Sequence, residues 1–377
     1  MKSFSVLMKP ASGYCNMQCD YCFYRDEQQY QNNHKDYMSL EVVEEAITKF
    51  VEEAEEQVSF FFQGGEPLLA GISFFEEVIS IQRRVNRRGI RINNAVQTNG
   101  LLINEEWSSF FRDNGFLVGV SLDGIEETHD IHRVSLDGTP TYKKILNNIG
   151  LLKQYEVEFN ILTVINRDTA NHISEIFEEY RKQKFMNQQY IICRDPLGTS
   201  GRDNRFSVST LKYGEFLVNL FDMWREELCK GNLVSIRQFE NYIGILLGIS
   251  PENCEQCGNC GVTYAMEANG DIYPCDFYMI DRFFLGNIVK DSISDIDKKR
   301  NELNFIKRST MFSQKCRECK YLNICRNECQ RNRIRDSQGN WLSQYCEGYY
   351  YFFSRRYEQM VLIAKLYLKI LNIRKEL

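Results

Sequence analysis

Three cysteines stand close together near the start of the chain, in the stretch KPASGYCNMQCDYCFY, which runs from Lys9 to Tyr24. Cys15, Cys19 and Cys22 follow the spacing C-x3-C-x2-C. A structural zinc ion takes four ligands, and a four-iron cluster normally takes four cysteines. Three cysteines on such a cluster would leave one iron open to another ligand. We therefore expect the chemistry of this protein to occur at this loop.

A second group of cysteines lies near the other end of the chain, where 9 of the 14 fall between residues 254 and 346. Eight of them have spacings typical of metal ligands: Cys254, Cys260, Cys275, Cys316, Cys319, Cys325, Cys329 and Cys346. Eight thiols suffice for two four-cysteine clusters, but C-x2-C pairs are also typical of structural zinc, so spacing alone leaves both open. We interpret Cys193 and Cys229 as structural cysteines.

The composition excludes several classes of protein. The formal charge of −5 argues against nucleic-acid binding as the main role of the protein. No apolar segment of signal-peptide length precedes Cys15, and the apolar stretch MVLIAKLYLKIL is too short to span a membrane and contains Lys365 and Lys369. We expect a cytoplasmic protein without a membrane or nucleic-acid partner, whose clustered cysteines bind metal rather than form disulfides.

Strand-like apolar runs alternate with amphipathic helical patterns from residue 5 to about residue 235. The six predicted strands are SFSVLMKP, VSFFFQGGEP, IRINNAVQTNG, FLVGVSLDG, VEFNILTVINR and QQYIICRDP. This alternation predicts an α/β fold with a parallel sheet and right-handed crossovers. Six units are too few for a closed eight-stranded barrel, so we expect a partial, open-sided (β/α)6 barrel. A cysteine-rich region and a terminal amphipathic helix follow.

Polar and glycine residues cluster directly after the predicted strands. Besides the cysteine loop, the clusters are Gln63–Pro67, Gln97–Gly100, Ser121–Gly124 and Arg194–Pro196. Any one of them could simply end a strand. In α/β barrels, however, the ligand site forms at the carboxyl ends of the strands, so we expect these segments to meet in one cleft. The polar loop 197–210 is expected at the edge of that cleft.

The motifs CNMQCDYC and GGEP resemble the radical S-adenosylmethionine (SAM) superfamily, and the C-terminal cysteine array resembles its SPASM domain. More narrowly, FFQGGEPLLAG, QTNG, VGVSLDG, YPCDFY and LGNI resemble the anaerobic sulfatase-maturating enzymes, and the resemblance extends from residue 5 to about 350. It implies a radical SAM partial barrel in residues 1–235, a SPASM domain in 236–348 and a C-terminal helix in 349–377.

The resemblance also implies the cofactors. Cys15, Cys19 and Cys22 would bind a [4Fe-4S] cluster whose open iron is chelated by SAM, and one electron would then release a 5′-deoxyadenosyl radical. The residues implied to line SAM are Tyr21, Gly65, Ser121, Arg133 and the backbone near Arg194. Glu66 would help hold the SAM amino group, unless it is a plain loop carboxylate. The resembling enzymes can carry an aliphatic residue at position 194, which puts a role of the Arg194 side chain in doubt.

Two auxiliary [4Fe-4S] clusters are implied in the SPASM domain, which gives three clusters in all. Cys254, Cys260, Cys275 and Cys329 would hold the first, and Cys316, Cys319, Cys325 and Cys346 the second. Cys257 has no place in this pattern, so we interpret it as a spare thiol. With four cysteines each, these clusters have no open iron and suit electron transfer. Asp276, next to Cys275 in YPCDFY, is the residue that the resemblance implies as the general base. We assign no catalytic role to His129 and His132.

The implied reaction is oxidation of a cysteine or serine in an unfolded sulfatase segment to Cα-formylglycine. The implied partners are that sulfatase polypeptide and a flavodoxin- or ferredoxin-like electron donor, and we expect a monomer. One alternative is another SPASM enzyme that makes thioether or carbon–carbon crosslinks in a ribosomal peptide. Such enzymes often carry a recognition domain before the barrel, whereas 14 residues precede Cys15. A zinc-stabilised binding module without catalysis is the alternative from a different class.

Overall fold

The computed structural model describes residues 2–27, 36–194 and 205–376, which form two compact units. The first unit comprises Met1–Leu122, His129–Ile161 and Val262–Phe305, and the second Asp123–Thr128, Leu162–Gly261 and Ile306–Leu377. These limits differ from the domain boundaries given above, which remain a prediction. Asp195, Pro196 and most of the predicted loop 197–210 lie outside the described residues.

The strands include all six that the alternating pattern predicts, which are the first six in chain order. They are β1 (Ser3–Met8), β2 (Gln57–Phe62), β3 (Arg91–Thr98), β4 (Leu117–Ser121), β5 (Phe159–Ile165), β6 (Asn187–Ile192), β7 (Ser235–Ile236), β8 (Tyr264–Met266), β9 (Asp271–Tyr273), β10 (Gly286–Asn287), β11 (Arg333–Arg335) and β12 (Trp341–Ser343). Strands β7 to β12 contain only two or three residues each, too few to give a readable periodicity.

The long helices follow the amphipathic segments of the sequence, and short helices occupy several connections. They are α1 (Phe23–Glu27), α2 (Leu40–Glu53), α3 (Ile72–Val85), α4 (Glu105–Asp113), α5 (Glu126–His129), α6 (Tyr142–Gln154), α7 (Arg167–Asn171), α8 (Ile173–Lys182), α9 (Thr210–Cys229), α10 (Arg237–Leu246), α11 (Ile293–Glu302), α12 (Phe305–Ser309), α13 (Gln314–Arg317), α14 (Leu322–Cys325) and α15 (Cys346–Glu376). Among the described residues, no helix is long and apolar enough to cross a membrane.

The sheet of the first unit has the strand order β10-β9-β8-β1-β2-β3-β4. Strands β1 to β4 pair in parallel, and β8 joins the other side of β1, also in parallel, with Val6 opposite Tyr264. Because parallel neighbours end at the same edge, the segments after β1, β2, β3 and β4 meet there. Strand β8 therefore brings a distant part of the chain beside the cysteine loop.

Aromatic side chains fill the core between this sheet and its helices. Phe75 of α3 packs edge-to-face on Phe62 of β2 and Trp107 of α4, with ring centroids 5.2 and 5.4 Å apart. Polar residues fix where the helices begin: the Ser39 hydroxyl accepts a hydrogen bond from Val42 N at the start of α2, and the Asn104 side chain caps α4 in the same way. These caps set the lengths of the loops that reach the sheet edge.

The second unit contains β6 and β7, which pair in parallel, and a core formed by α9, α10 and α15. Phe221, Trp224, Phe239 and Phe352 form its centre, with Phe221 packed edge-to-face on Phe239 at 5.2 Å. The buried Trp224 indole donates a hydrogen bond to Val234 O at 2.8 Å. The long helix α15 thus anchors the cysteine-rich segment that precedes it.

Candidate active site

The three-cysteine loop leaves the end of β1 and is tied down at several points within the first unit. Met17 forms a bridge with Ser135, and the Gln18 side chain donates to Ser135 O and Leu136 O, each at 3.1 Å. Cys22 N donates to Cys19 O at 3.3 Å. These contacts fix the backbone that carries the three thiols.

Polar donors surround the thiols of this loop. Cys15 Sγ accepts hydrogen bonds from Met17 N at 3.4 Å and from Asn99 Nδ2 at 3.7 Å, and Cys19 Sγ accepts one from Arg133 Nη1 at 3.9 Å. Burial, the Glu66 carboxylate and, to a smaller extent, Cys22 raise the pKa of Cys15 to about 11. These donors would stabilise thiolates, and a bound metal centre would supply the positive charge that the thiolates need. The donor set therefore fits a cluster held by three cysteines.

The Gly64–Gly65 pair is pressed against the cysteine loop. Gly65 N donates to Ser12 O at 2.8 Å, and Glu66 N donates to Tyr14 O at 2.7 Å. A Cβ on Gly65 would lie 2.0 Å from Tyr14 O, and Gly64 has a φ of +117°. Only glycine fits both positions. The pair therefore positions one wall of the site against the cysteines.

Glu66 is fully buried and accepts hydrogen bonds from Thr98 Oγ1 at 2.8 Å, from Asn99 N at 2.7 Å and from Leu68 N at 3.0 Å. Burial raises its pKa to about 7, and these hydrogen bonds oppose that shift. The carboxylate thus joins the GGEP segment to the QTNG turn that carries Asn99. Its part in holding SAM remains a prediction.

The remaining predicted SAM-lining residues of the first unit lie around the same loop. The guanidinium of Arg133, which is 7% exposed, lies 5.5 Å from the centre of the Tyr21 ring. Ser121 Oγ, at the end of β4, accepts a hydrogen bond from Gln97 Nε2 at 3.2 Å. His129 is buried, with Nε2 3.0 Å from Thr141 Oγ1. Gly65, Tyr21 and Arg133 are therefore tied to the cysteine loop, and Ser121 ends a neighbouring strand.

Asp276 is a buried carboxylate at the centre of a hydrogen-bond network. Its Oδ2 accepts hydrogen bonds from Tyr24 Oη and Gln63 Nε2, each at 2.8 Å, and Gln63 also donates to Tyr24 Oη at 2.8 Å. Among the residues that the structure describes, Oδ1 has no hydrogen-bond partner, although Lys9 Nζ lies 3.9 Å away. Tyr24 comes two residues after Cys22, so the carboxylate lies beside the cysteine loop.

A buried charge pair supports this network. Lys9 Nζ lies 3.1 Å from Glu267 Oε1 and 4.6 Å from the centre of the Tyr24 ring, and Ser12 Oγ donates to Glu267 Oε2 at 2.9 Å. Burial raises the pKa of Asp276, and the Lys9 charge and the Tyr24 hydrogen bond oppose that rise. Lys9 and Glu267 were missed by sequence reasoning. Each of them directly follows a buried strand, Lys9 after β1 and Glu267 after β8. A buried charge needs a partner, so this position could have indicated that the two residues pair.

Four cysteines of the second unit line a single cavity of about 670 Å³, namely Cys316, Cys319, Cys325 and Cys346. The aromatic rings of Tyr321, Tyr349, Tyr350 and Phe353 share the lining. The four thiols are those grouped above for the second auxiliary cluster. Among the described residues, no three His, Cys, Asp or Glu side chains are arranged to hold a single metal ion. A four-iron cluster spreads its ligands further apart than one ion does.

An unusual backbone segment links the two groups of cysteines in this unit. Arg326, Asn327 and Glu328, between Cys325 and Cys329, have φ values of 54°, 62° and 54°. The buried Arg333 guanidinium donates to Asn327 O at 2.8 Å and to Glu328 O at 2.6 Å. Left-handed non-glycine residues persist only where the surroundings hold them. Arg333 therefore fixes the turn between two predicted cluster ligands.

Cys254, Cys260 and Cys329 also belong to the second unit. Desolvation raises the pKa of Cys254 and Cys260, and the Cys329 thiol raises both further, so the three lie near one another. Gln330 Nε2 donates to Cys260 Sγ at 3.1 Å, and Arg331 N to Cys329 Sγ at 3.4 Å. Cys275 belongs to the first unit, so its place in this set remains a prediction.

The other cysteines and Arg194 have separate surroundings. Cys257 Sγ donates to Pro251 O and Asn253 O at 3.6 Å, Cys193 is buried, and Cys229 is exposed near the end of α9. The Arg194 side chain points to Glu255 in the second unit, with Nη2 3.5 Å from Oε2. The contribution of the Arg194 backbone to a SAM site remains a prediction.

Known proteins share this organisation over almost the whole chain. The family model described as "Radical SAM superfamily" matches residues 10–180. The cysteine-type anaerobic sulfatase-maturating enzyme of Clostridium novyi (strain NT) is 39% identical over 370 residues, covering 97% of this chain and 98% of the relative. The serine-type enzyme of Bacteroides thetaiotaomicron is 34% identical over 372 residues, covering 93% and 89%.

A solved structure described as "Native anSMEcpe with bound AdoMet and Kp18Cys peptide" has a TM-score of 0.91 and 37% identity, covering 97% of this chain and 99% of that one. The fold, the cysteine loop and these matches define a radical SAM enzyme, which uses SAM and an iron–sulfur cluster. Within that superfamily, the chain belongs to the anaerobic sulfatase-maturating enzymes. The resemblances to the radical SAM superfamily and to the anaerobic sulfatase-maturating enzymes are confirmed, as is the α/β fold with a parallel sheet.

Proposed function

We propose that the protein oxidises a cysteine or serine in an unfolded sulfatase segment to Cα-formylglycine. The observation that carries this proposal is Asp276, a buried carboxylate held beside the three-cysteine loop by Tyr24 and Gln63. The relatives named above support a sulfatase as the substrate, and the peptide in the related solved structure supports a peptide segment as what binds.

Cys15, Cys19 and Cys22 would hold the cluster whose open iron binds SAM. Tyr21, Gly65, Ser121 and Arg133 would line SAM, together with the backbone near Arg194. Glu66, which joins the GGEP and QTNG segments, would help hold the SAM amino group. When bound, the cluster and SAM supply a 5′-deoxyadenosyl radical that removes one hydrogen atom from the target Cβ. The role of the chain is to hold the target and exclude water from this radical.

Asp276 would take the proton that must leave as the product forms. After loss of the Cβ hydrogen, a cysteine becomes a thioaldehyde and a serine an aldehyde only if one proton and one electron also depart. Tyr24 and Gln63 fix Oδ2, and Oδ1 makes no hydrogen bond within the described part of the chain, so it can accept a proton from a substrate thiol or hydroxyl. Water then hydrolyses the thioaldehyde to formylglycine.

The remaining electron requires an acceptor, which is the role we propose for two auxiliary clusters. Cys316, Cys319, Cys325 and Cys346 would hold one of them, and their shared cavity supports this grouping. The ligands of the other would be Cys254, Cys260, Cys275 and Cys329. Three four-iron clusters give roughly twelve irons per chain. A flavodoxin- or ferredoxin-like protein would supply the electron that starts the cycle, and the enzyme would act as a monomer.

The test incubates the reduced enzyme and SAM with two peptides that carry a sulfatase motif and differ only by cysteine or serine at the target. Formation of formylglycine removes the sulfur of the cysteine peptide, or two hydrogens of the serine peptide, and creates a carbonyl that reacts with a hydrazine. Formation of 5′-deoxyadenosine without oxidation of either peptide would contradict the proposal. Loss of two hydrogens with retention of sulfur and no carbonyl would indicate a crosslinking enzyme instead.

A further inference from the structure

Arg194 places a permanent positive charge in a poorly hydrated part of the second unit. Its side chain is 6% exposed, and its Nη2 lies 3.5 Å from Oε2 of Glu255, whose side chain is 19% exposed. A guanidinium remains protonated under all ordinary conditions. Little water is therefore available to screen this charge from its neighbours.

The carboxylate that faces Arg194 is rigidly attached to a predicted cluster ligand. Glu255 follows Cys254 directly in a short helical turn, and Asn253 Nδ2 donates to Glu255 Oε1 at 3.0 Å. The next residue, Gln256, is buried and donates from Nε2 to Gln238 O at 3.0 Å. The ion pair therefore ties the end of β6 to the segment that carries Cys254.

A second buried carboxylate adjoins another predicted ligand of the same cluster. Glu328 is buried, and its carboxylate is held by Ser343 Oγ at 2.7 Å and by the Asn332 amide. Glu328 directly precedes Cys329 in the chain, just as Glu255 directly follows Cys254. Arg194 therefore pairs with the carboxylate that adjoins Cys254, one of the three cysteines that this unit provides for one cluster.

We propose that Arg194 sets the reduction potential of the iron–sulfur cluster held by Cys254, Cys260 and Cys329, an inference that depends on the proposed presence of that cluster. One-electron reduction makes a cluster more negative by one charge, so a fixed cation nearby stabilises the reduced form and raises the potential. The two carboxylates act in the opposite direction. Arg194 therefore offsets them and keeps the cluster able to accept the electron that leaves the substrate.

The test is a redox titration of the purified, cluster-loaded 377-residue chain, monitored by electron paramagnetic resonance. The comparison uses Arg194→Leu and a matched control, Arg181→Leu, which removes an exposed arginine that pairs with Glu178 in the same unit. For Arg194→Leu we expect the equilibrium constant for reduction of this cluster to fall about tenfold or more. That fall corresponds to a reduction potential lower by about 59 mV for one electron. The other auxiliary cluster and the Arg181 variant should keep the wild-type potential.

If Arg194→Leu loses iron, two further variants test whether Arg194 sets the reduction potential of the cluster. Arg194→Lys keeps the charge and should keep the potential close to that of the wild type. Glu255→Gln removes one negative charge without changing the size of the side chain, and it should raise the potential of the same cluster. An unchanged potential in Glu255→Gln, or equal shifts in the Arg194 and Arg181 variants, would overturn the inference.

A failure of the role proposed for Arg194 can be distinguished from a failure of the proposed function. If the wild type carries the cluster but oxidises no sulfatase peptide, the proposed function fails while the shifts in potential still support the role of Arg194. If the peptide is oxidised and the Arg194 variants titrate like the wild type, the proposed function stands and the role of Arg194 is refuted.

Discussion

The two best-defined cysteine groups of the molecule differ in number and in surroundings. The loop after β1 presents three thiols amid polar donors, with Asn99 directed at Cys15 and Arg133 at Cys19. The cavity of the second unit is lined by four thiols and by aromatic rings. Three ligands leave one iron of a cluster open, whereas four complete its ligation. Under the proposed function, the three-cysteine group would bind SAM through the open iron, and the four-cysteine group would only carry electrons.

The largest expected effect comes from removing a ligand of the three-cysteine loop. Cys15→Ala should reduce 5′-deoxyadenosine formation to background, because SAM then has no iron to bind. The measurement is chromatography of the nucleoside products from reduced enzyme and SAM. Cys229→Ser, which changes an exposed cysteine outside both groups, is the control. SAM cleavage at the wild-type rate in Cys15→Ala would remove the basis of the comparison.

Removing a ligand of the four-cysteine group should affect SAM cleavage less than removing Cys15 does. Cys325→Ala should lower the iron content from roughly twelve to roughly eight per chain, while 5′-deoxyadenosine still forms. Formylglycine formation should fall, because the acceptor for the second electron is impaired. Iron analysis and the two product assays measure these effects, with Cys257→Ala as a control that retains all the iron. A full iron content in Cys325→Ala would show that this thiol is not a ligand.

The smallest expected effect concerns the hydroxyl that holds Asp276. Tyr24→Phe removes the 2.8 Å hydrogen bond to Asp276 Oδ2 and leaves the ring in place. Loss of a hydrogen bond to a charged group should slow formylglycine formation by about tenfold or more, with less effect on SAM cleavage. The matched control is Tyr37→Phe, because Tyr37 stacks in the open on Tyr14. Equal rates in the two variants would argue that Tyr24 does not position Asp276.

The sequence predicted those parts of the site that depend on local pattern. The sequence shows directly the spacing of the three cysteines in the loop after β1. It also shows the glycines that follow β2. Their convergence followed because neighbouring parallel strands end at one edge. The six long strands were also predictable, since each has 5 to 8 residues and contains apolar residues that distinguish it from the polar turns around it.

The charged residues behind the site could not be predicted from local pattern. Lys9 meets Glu267 only because β8, about 260 residues later in the chain, pairs in parallel with β1. Strand β8 has three residues, too few for a periodicity that would announce it. The direction of the Arg194 side chain depends in the same way on tertiary contacts, here with Glu255. Local sequence pattern therefore does not reveal which short elements pair over long distances in the chain.

We propose that the cluster at the three-cysteine loop generates the radical, whereas Asp276 determines what product the radical leads to. The most direct measurement compares 5′-deoxyadenosine and formylglycine from wild type and Asp276→Asn, with a peptide deuterated at the target Cβ. We predict that the variant still forms 5′-deoxyadenosine carrying deuterium, while formylglycine formation falls by about a hundredfold or more. Formylglycine at the wild-type rate in Asp276→Asn would contradict the claim.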